Sequence, residues 1–150
     1  MEIDPRGPRF AALVTTLVLG GVLVTGSAWL LAAQAVVFAV GVVFGLRYSP
    51  YGWLYQKLIR PRLGPPAELE AEAPPRFAQA VGLAFALIGV AGYALGLTWL
   101  GMTATAVALA AAFLNAAFGF CLGCEMYLLI RQIWPGRTAL VLANADKEEP

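Results

Sequence analysis

The fold is decided by two long stretches of sequence that contain no charged residue. Residues 10–46 read FAALVTTLVLGGVLVTGSAWLLAAQAVVFAVGVVFGL, and residues 77–124 read FAQAVGLAFALIGVAGYALGLTWLGMTATAVALAAAFLNAAFGFCLGC. A bilayer core about 30 Å thick needs about 20 helical residues. Because each stretch is too long for one span and long enough for two, the sequence predicts four membrane-spanning helices.

Turns of small residues divide each stretch in two. Gly26-Ser27-Ala28 lies within the first stretch, Gly96 to Gly101 lies within the second, and none of the ten prolines falls inside either. We therefore predict a single membrane domain over residues 1–150, with spans at about 10–25, 29–46, 77–95 and 102–120. Residues 47–76 form a cytoplasmic connector in this prediction, and residues 132–150 form a cytoplasmic tail.

The overall composition supports a membrane protein and excludes several functions. Of the 150 residues, 60% are apolar and 13% are charged, against about 25% charged in soluble domains. The absence of histidine excludes His-dependent catalysis, and a net charge of +1 offers no general attraction to nucleic acid. Neither a cofactor nor a metal is predicted. No acidic or basic residue falls inside a predicted span, which disfavours an ion-coupled transporter.

Orientation follows from the positions of the basic residues. In the four-span arrangement all ten Lys and Arg lie on one face of the membrane. Because cytoplasmic loops are enriched in these residues, both termini are predicted to be cytoplasmic. The excess of arginine over lysine and the abundance of alanine, valine, leucine and glycine are typical of a GC-rich bacterial genome, so the expected location is a bacterial inner membrane.

The two halves of the chain resemble each other. Pro8-Arg9-Phe10 recurs as Pro75-Arg76-Phe77, and Phe44-Gly45 recurs as Phe118-Gly119. An aromatic, amphipathic segment follows each half, at residues 48–60 and 124–131. We predict an all-α fold of two parallel-repeat helical hairpins, each followed by a cytoplasmic amphipathic interfacial segment. Chance similarity between apolar helices is the alternative.

The first interfacial segment is predicted to begin at Ser49 and Pro50, which are favourable N-cap and first-turn residues. Its lipid-facing residues would be Tyr51, Trp53, Leu54 and Leu58, and its contacts with anionic headgroups would be Lys57, Arg60 and Arg62. The acidic, proline-flanked residues 64–75 that follow are predicted to be an exposed, semi-rigid linker.

Within the spans, polar and small residues are expected to hold helices together. Gln34 and Asn115 are intramembrane amides of the kind that usually bond one helix to another. Gly41-xxx-Gly45, Gly92-xxx-Gly96 and Gly119-xxx-Gly123 would let helices approach closely, and these faces are also compatible with a homodimer.

One group of residues has evident reactivity: Cys121-Leu122-Gly123-Cys124-Glu125, which contains both cysteines of the chain. A C-x-x-C pair can cycle between dithiol and disulfide or carry a persulfide, and Glu125 is positioned to exchange a proton with either thiol. Three alternatives remain open. The pair handles thiols or sulfane sulfur, or it is simply packed, or it binds metal together with a second protomer.

Two arguments bear on oxidation of this pair. The predicted cytoplasmic position is reducing and disfavours a permanent disulfide, and the single cysteine pair disfavours a quinone-coupled disulfide generator. On an unbroken helix the two β-carbons would be about 5–6 Å apart, which is too far for a disulfide. Oxidation therefore requires a break, which Gly119 and Gly123 permit, and a helix restarting near Cys121 would favour thiolate.

The whole chain resembles a known family. Asp4-Pro5-Arg6-Gly7-Pro8-Arg9-Phe10, Arg47-Tyr48-Ser49-Pro50-Tyr51-Gly52, Pro74-Pro75-Arg76-Phe77 and the segment Phe113 to Cys124 are similar to small bacterial membrane proteins grouped as domain of unknown function 4395. The resemblance implies no established activity. An association of its members with thioredoxin-like and thiosulfate sulfurtransferase proteins implies a thiol or sulfur role.

Two functional hypotheses follow. In the first, Cys121 and Cys124 handle thiol or sulfane-sulfur chemistry at the cytoplasmic face of the lipid bilayer, with a soluble thioredoxin-like or sulfurtransferase partner. In the second, the protein is a non-enzymatic membrane scaffold or a small-solute permease subunit with packed cysteines. Reactivity of the thiols distinguishes the two.

Overall fold

The computed structural model describes residues 2–134, and this part of the chain is almost entirely helical. Its elements in chain order are β1 (Glu2–Ile3), α1 (Arg6–Thr25), α2 (Ala28–Phe44), a 3₁₀ turn (Leu46–Tyr48), α3 (Pro50–Leu54), a π-helical turn (Tyr55–Ile59), α4 (Arg60–Leu63), β2 (Glu70–Ala71), α5 (Ala73–Ala94), α6 (Thr98–Phe118) and α7 (Leu122–Ile133). Of the predicted tail, residues 132 and 133 end α7, and residues 135–150 lie outside the described part.

Three helices, α1, α5 and α6, are long and apolar enough to cross a membrane. The helix α2 is apolar apart from Gln34, but with 17 residues it is shorter than these three. Both predicted turns are present, since Gly26 and Gly96 adopt positive φ angles of 63° and 73°. The helix α6 begins four residues earlier than predicted, because the carbonyl of Leu97 accepts hydrogen bonds from the N–H groups of Leu100 and Gly101.

The long helices form one bundle in which sequence neighbours are not always the main packing partners. The helix α1 packs mainly against α6, α2 packs mainly against α5, and α5 and α6 pack against each other. The buried core lies between them and consists of Leu19, Val22, Leu31, Ala35, Phe38, Ala86 and Ala108. The short helix α7 packs against α5.

The connector before α5 is exposed over most of its length, as its composition predicts, but it is also attached to the bundle. Strand β2 pairs with β1 in an antiparallel two-stranded sheet, with Glu2 opposite Ala71. Glu72 is 8% exposed, and its Oε1 accepts a hydrogen bond from the backbone N–H of Leu46 over 2.9 Å. The N-terminus and this buried carboxylate therefore hold the connector against the bundle.

The interfacial segment begins at Pro50, as predicted, with Ser49 at the N-cap. Trp53 and Leu58 are exposed, in keeping with a lipid-facing surface. The prediction for Tyr51 is wrong, because its hydroxyl donates a hydrogen bond to Oε1 of Gln34 over 2.7 Å and so points into the bundle. Leu54 is half-buried. A buried amide needs a hydrogen-bond partner, and the pattern of apolar residues along the sequence does not show which side chain will supply it.

The predicted Gly-xxx-Gly pairs do not act as pairs. Gly45, Gly96 and Gly119 have φ angles of 97°, 73° and 69°, so each lies just beyond the end of a helix. Their partners Gly41, Gly92 and Gly123 do make close contacts, and a Cβ atom on Gly92 would lie 2.6 Å from the backbone nitrogen of Gly101. One glycine of each motif thus permits a turn and the other permits packing.

Candidate functional site

The two cysteines lie at a break between helices. The helix α6 ends at Phe118, Gly119 takes a left-handed conformation, and α7 begins at Leu122 with Cys121 as its extended N-cap residue. The sulfur atoms of Cys121 and Cys124 are joined in a disulfide, and their Cα atoms are 5.1 Å apart, within the usual range. The break that oxidation requires is therefore present at Gly119, whereas Gly123 lies within the first turn of α7. The structure thus contains a disulfide at a position where, if it is cytoplasmic, a permanent disulfide is not expected, because the cytoplasm is reducing.

Close packing fixes this pair against α5. A Cβ atom on Gly123 would lie 2.6 Å from both the Cα and the Cβ of Ala78, so the two helices touch without an intervening side chain. One turn further along, the rings of Phe77 and Tyr127 are 5.8 Å apart between centroids. The position of the disulfide is thus set by α5 as well as by α7.

An apolar cavity of about 270 Å³ lies among α1, α2, α5, α6 and α7, and Cys121 forms part of its wall. Most of the lining is alanine, valine, phenylalanine and glycine. None of the described residues that line it is acidic or basic, and the polar side chains there are those of Thr15, Gln79 and Asn115. We refer to this space as the apolar cavity. Cys124 is not among its lining residues.

Glu125 lies in the first turn of α7 and is exposed to solvent. Its backbone N–H donates a hydrogen bond to the carbonyl of Cys121 over 3.0 Å. On the same helix, the guanidinium of Arg131 lies 6.0 Å from the ring centroid of Tyr127. A role for the Glu125 carboxylate in proton exchange with a thiol stays a prediction.

The two intramembrane amides have different surroundings. Gln34 is 1% exposed, accepts the hydrogen bond from Tyr51 and donates one to Oγ1 of Thr15 over 3.4 Å. It therefore connects α1, α2 and α3, as expected for a buried amide that holds helices together. Asn115 instead lies on α6 at the wall of the apolar cavity.

The predicted headgroup-binding residues Lys57, Arg60 and Arg62 are all exposed on the interfacial segment. The ammonium of Lys57 lies 4.4 Å from the ring centroid of Trp53, an arrangement that supports a cation–π contact. Contact of these three side chains with lipid headgroups stays a prediction.

A second cavity, of about 330 Å³, lies beside the interfacial segment, and we call it the charged cavity because acidic and basic side chains line part of it. Its lining includes Asp4, Arg47, Tyr55, Arg60 and Glu72. Pro8, Leu46 and Gln79 line both cavities and form the wall between them. In the sequence, Asp4 was noted only as the start of a family-like motif and Glu72 only as part of the acidic linker, so neither was predicted to line a cavity. The nearby Pro5 and the Pro74-Pro75 pair were the only local signals of constrained backbone.

In the charged cavity Tyr55 is 4% exposed and donates a hydrogen bond from its hydroxyl to Oδ2 of Asp4 over 2.9 Å. Burial, and then the adjacent Asp4 carboxylate, raise the pKa of Tyr55 to about 12. The ring of Tyr55 also lies 6.0 Å from that of Phe10, measured between centroids. This tyrosine therefore attaches the interfacial segment to the start of α1.

Together these features define an all-helical protein with three apolar helices able to cross a membrane and with one cysteine pair at a helix start. The chain belongs to the family described as Domain of unknown function (DUF4395), which matches residues 3–132. The resemblance seen in the sequence motifs is thereby confirmed. No curated protein and no solved structure shows a significant match to the chain.

Proposed function

We propose that this protein is a four-span inner-membrane protein in which Cys121 and Cys124 carry out thiol–disulfide or sulfane-sulfur chemistry at the cytoplasmic face. A soluble thioredoxin-like protein or a sulfurtransferase is the proposed partner. The observation that carries the proposal is the disulfide at the start of α7, formed by the two cysteines of the chain and set at the wall of a cavity.

The chemistry of the pair follows from its position. Cys121 is the N-cap of α7 and Cys124 lies in the first turn, so both sulfurs are near the positive end of a helix dipole. This end stabilises a thiolate, which is the attacking form in disulfide exchange and in sulfur transfer. A partner dithiol would reduce the disulfide through a mixed disulfide and leave as a disulfide itself. A freed cysteine thiolate could then attack the outer sulfur of a partner's persulfide, which forms a persulfide on the cysteine and releases the partner's thiolate.

The fourth span in this proposal is α2. Its 17 residues extend about 26 Å at 1.5 Å per residue, at the short end of the range for a membrane-spanning helix. The proposed orientation rests on the basic residues. The eight of them that fall within residues 2–134 lie at the end of the bundle that carries the interfacial segment and the start of α7. The bacterial inner membrane is part of the same proposal.

The proposed parallel repeat is supported by contacts that recur between the halves. Arg76 donates hydrogen bonds to the carbonyls of Val42 and Val43 at the end of α2, and Arg9 lies against Gly119 at the end of α6. Each half also places the phenylalanine after its Pro-Arg pair against a tyrosine of its interfacial segment: Phe10 on Tyr55 and Phe77 on Tyr127. These contacts are those expected of two halves related by an axis along the membrane normal.

The proposed thiol chemistry is tested by labelling in inverted vesicles. After reduction, both thiols should react with a membrane-impermeant maleimide without denaturant, and addition of diamide should block the reaction by forming the disulfide. The single variants Cys121→Ser and Cys124→Ser should react once and resist diamide. Thiols that react only in denaturant would contradict the proposal and favour a scaffold or permease subunit with packed cysteines.

Orientation is tested in the background of Cys121→Ser and Cys124→Ser. Glu68→Cys lies in the connector and Thr98→Cys lies at the opposite end of the bundle, and both positions are exposed. The first should be labelled in inverted vesicles and the second in intact spheroplasts. The reverse pattern would overturn the cytoplasmic placement of the cysteines.

A homodimer, also proposed, should appear as a doubled mass in cross-linked membranes.

A further inference from the structure

We infer that the apolar cavity binds a quinone and that the quinone is the electron acceptor of the Cys121–Cys124 pair. The inference rests on the proposed thiol chemistry and adds its second substrate. It departs from the expectation drawn from the single cysteine pair, and the reason is the composition and position of the cavity.

The lining of the cavity selects for a neutral, apolar molecule. A charged ligand there would lose its hydration with no charged side chain of the described lining to compensate it. The amides of Gln79 and Asn115 offer N–H donors within an otherwise apolar wall, which suits a flat ring with carbonyl oxygens. A volume of about 270 Å³ accommodates a quinone ring and leaves the isoprenoid chain outside.

A route from the lipid leads to this space. Val107 on α6 and Met126 on α7 both line the cavity, and they are 43% and 41% exposed. Both side chains are apolar, so the cavity reaches the outer surface of the bundle between apolar residues. A molecule dissolved in the bilayer therefore has access to Cys121 without crossing water.

The two cysteines then have separate tasks. Cys121 lines the cavity and Cys124 does not, so Cys121 is the sulfur beside the acceptor. A soluble partner's thiolate attacks the sulfur of Cys124, and Cys121 leaves as the thiolate next to the quinone. A second thiol of the partner releases Cys124. One cysteine pair is sufficient, because the partner brings the other dithiol.

The electron balance is complete. The two protons of the partner's thiols pass to Cys121 and Cys124, which gives the dithiol. When this dithiol is oxidised, its two S–H bonds break, one S–S bond forms, and the pair loses two electrons and two protons. The quinone accepts the two electrons and two protons at its carbonyl oxygens and becomes a quinol. The potential of the quinone pool drives this step, so a reducing cytoplasm does not prevent it.

The test uses the full-length protein, purified in detergent, reduced with dithiothreitol and desalted without oxygen. Ubiquinone-1 is the probe, because its fully substituted ring resists unspecific addition of thiols. Wild-type protein should form one quinol, followed by ultraviolet absorbance, for every two thiols lost. No quinol formation by protein whose thiols still exchange with dithiothreitol would overturn this inference and leave the proposed thiol function standing.

Ala111→Phe would fill the cavity, since Ala111 lines it, and Ala110→Phe is the matched control on the exposed neighbouring position. The first variant should reduce ubiquinone-1 at least tenfold more slowly than wild type, and the control should stay within twofold. Both should keep the wild-type rate of thiol alkylation. Equal quinone reduction by the two variants would overturn the assignment of the cavity.

A milder variant keeps the test decisive if Ala111→Phe does not fold. In Asn115→Leu, the new leucine side chain has a volume similar to that of asparagine but lacks the amide donor. It should raise the KM for ubiquinone-1 about fivefold with little change in kcat, and it should leave the reaction with dithiothreitol unchanged. An unaltered KM would show that the quinone does not occupy this cavity.

Discussion

A Cβ atom on Gly123 would lie 2.6 Å from the Cα of Ala78, so α7 and α5 meet backbone to backbone at the first turn of α7. Gly123 lies between the two cysteines, and this contact therefore sets the distance of the disulfide from the bundle. The start of α7 is an interface with α5 and not a freely placed surface helix.

Replacing Gly123 with alanine should destabilise the protein by about 1–3 kcal/mol, because the added methyl group forces α7 away from the backbone of α5. The measurement is chemical unfolding of detergent-solubilised protein. Gly20→Ala is the control, since a Cβ atom at Gly20 in α1 meets nothing within 4 Å. The control should be neutral or slightly stabilising. Similar losses in both variants would contradict the close contact at Ala78.

Replacing Gln34 with leucine should cost about 1–3 kcal/mol, because the hydroxyls of Tyr51 and Thr15 lose a buried partner. A double-mutant cycle with Tyr51→Phe isolates the bond between the two side chains. Tyr51→Phe should be less destabilising in the Gln34→Leu background than in wild type. Additive losses would show that this hydrogen bond does not stabilise the bundle.

Replacing Arg76 with alanine should destabilise the fold by about 1–3 kcal/mol. Its guanidinium donates to the carbonyl of Val42 over 2.6 Å and to that of Val43 over 2.9 Å, which are terminal carbonyls of α2 and attract a positive charge. Arg62→Ala removes an exposed arginine from the interfacial segment and should change the unfolding midpoint little. An equal shift in the two variants would contradict a specific cap by Arg76.

The Tyr55–Asp4 hydrogen bond should produce a measurable pH dependence. Because the folded state raises the pKa of Tyr55 from 10.0 to about 12, the unfolded chain loses this proton first. The stabilisation is present below about pH 10 and is lost as the pH rises towards 12. The free energy of unfolding should fall more steeply over this range in wild type than in Tyr55→Phe. The same slope in both proteins would rule out this linkage, and Tyr48→Phe, at an exposed tyrosine, is the control.

Much of the helical organisation follows from local chemistry. The uncharged stretches and the turns at Gly26 and Gly96 could be predicted from the sequence, because they depend on residues close together in the chain. The helix start at Pro50, and the possibility of a break near Gly119, could be predicted for the same reason. Tyr51 and Glu72 could not be placed in this way, because their burial depends on Gln34 and on the backbone of Leu46, which are 17 and 26 residues away.

The amino-acid sequence by itself determined that this chain forms apolar helices, where most of them turn, and which two cysteines form a C-x-x-C pair. Only the tertiary structure decided that Cys121 lines an apolar cavity, that Gly123 meets Ala78, and that the N-terminus pairs with the connector. The physical reason is the separation along the sequence over which each interaction acts. Hydrophobic length and backbone propensity act within one element, whereas a cavity or a buried hydrogen bond exists only where elements distant in sequence meet.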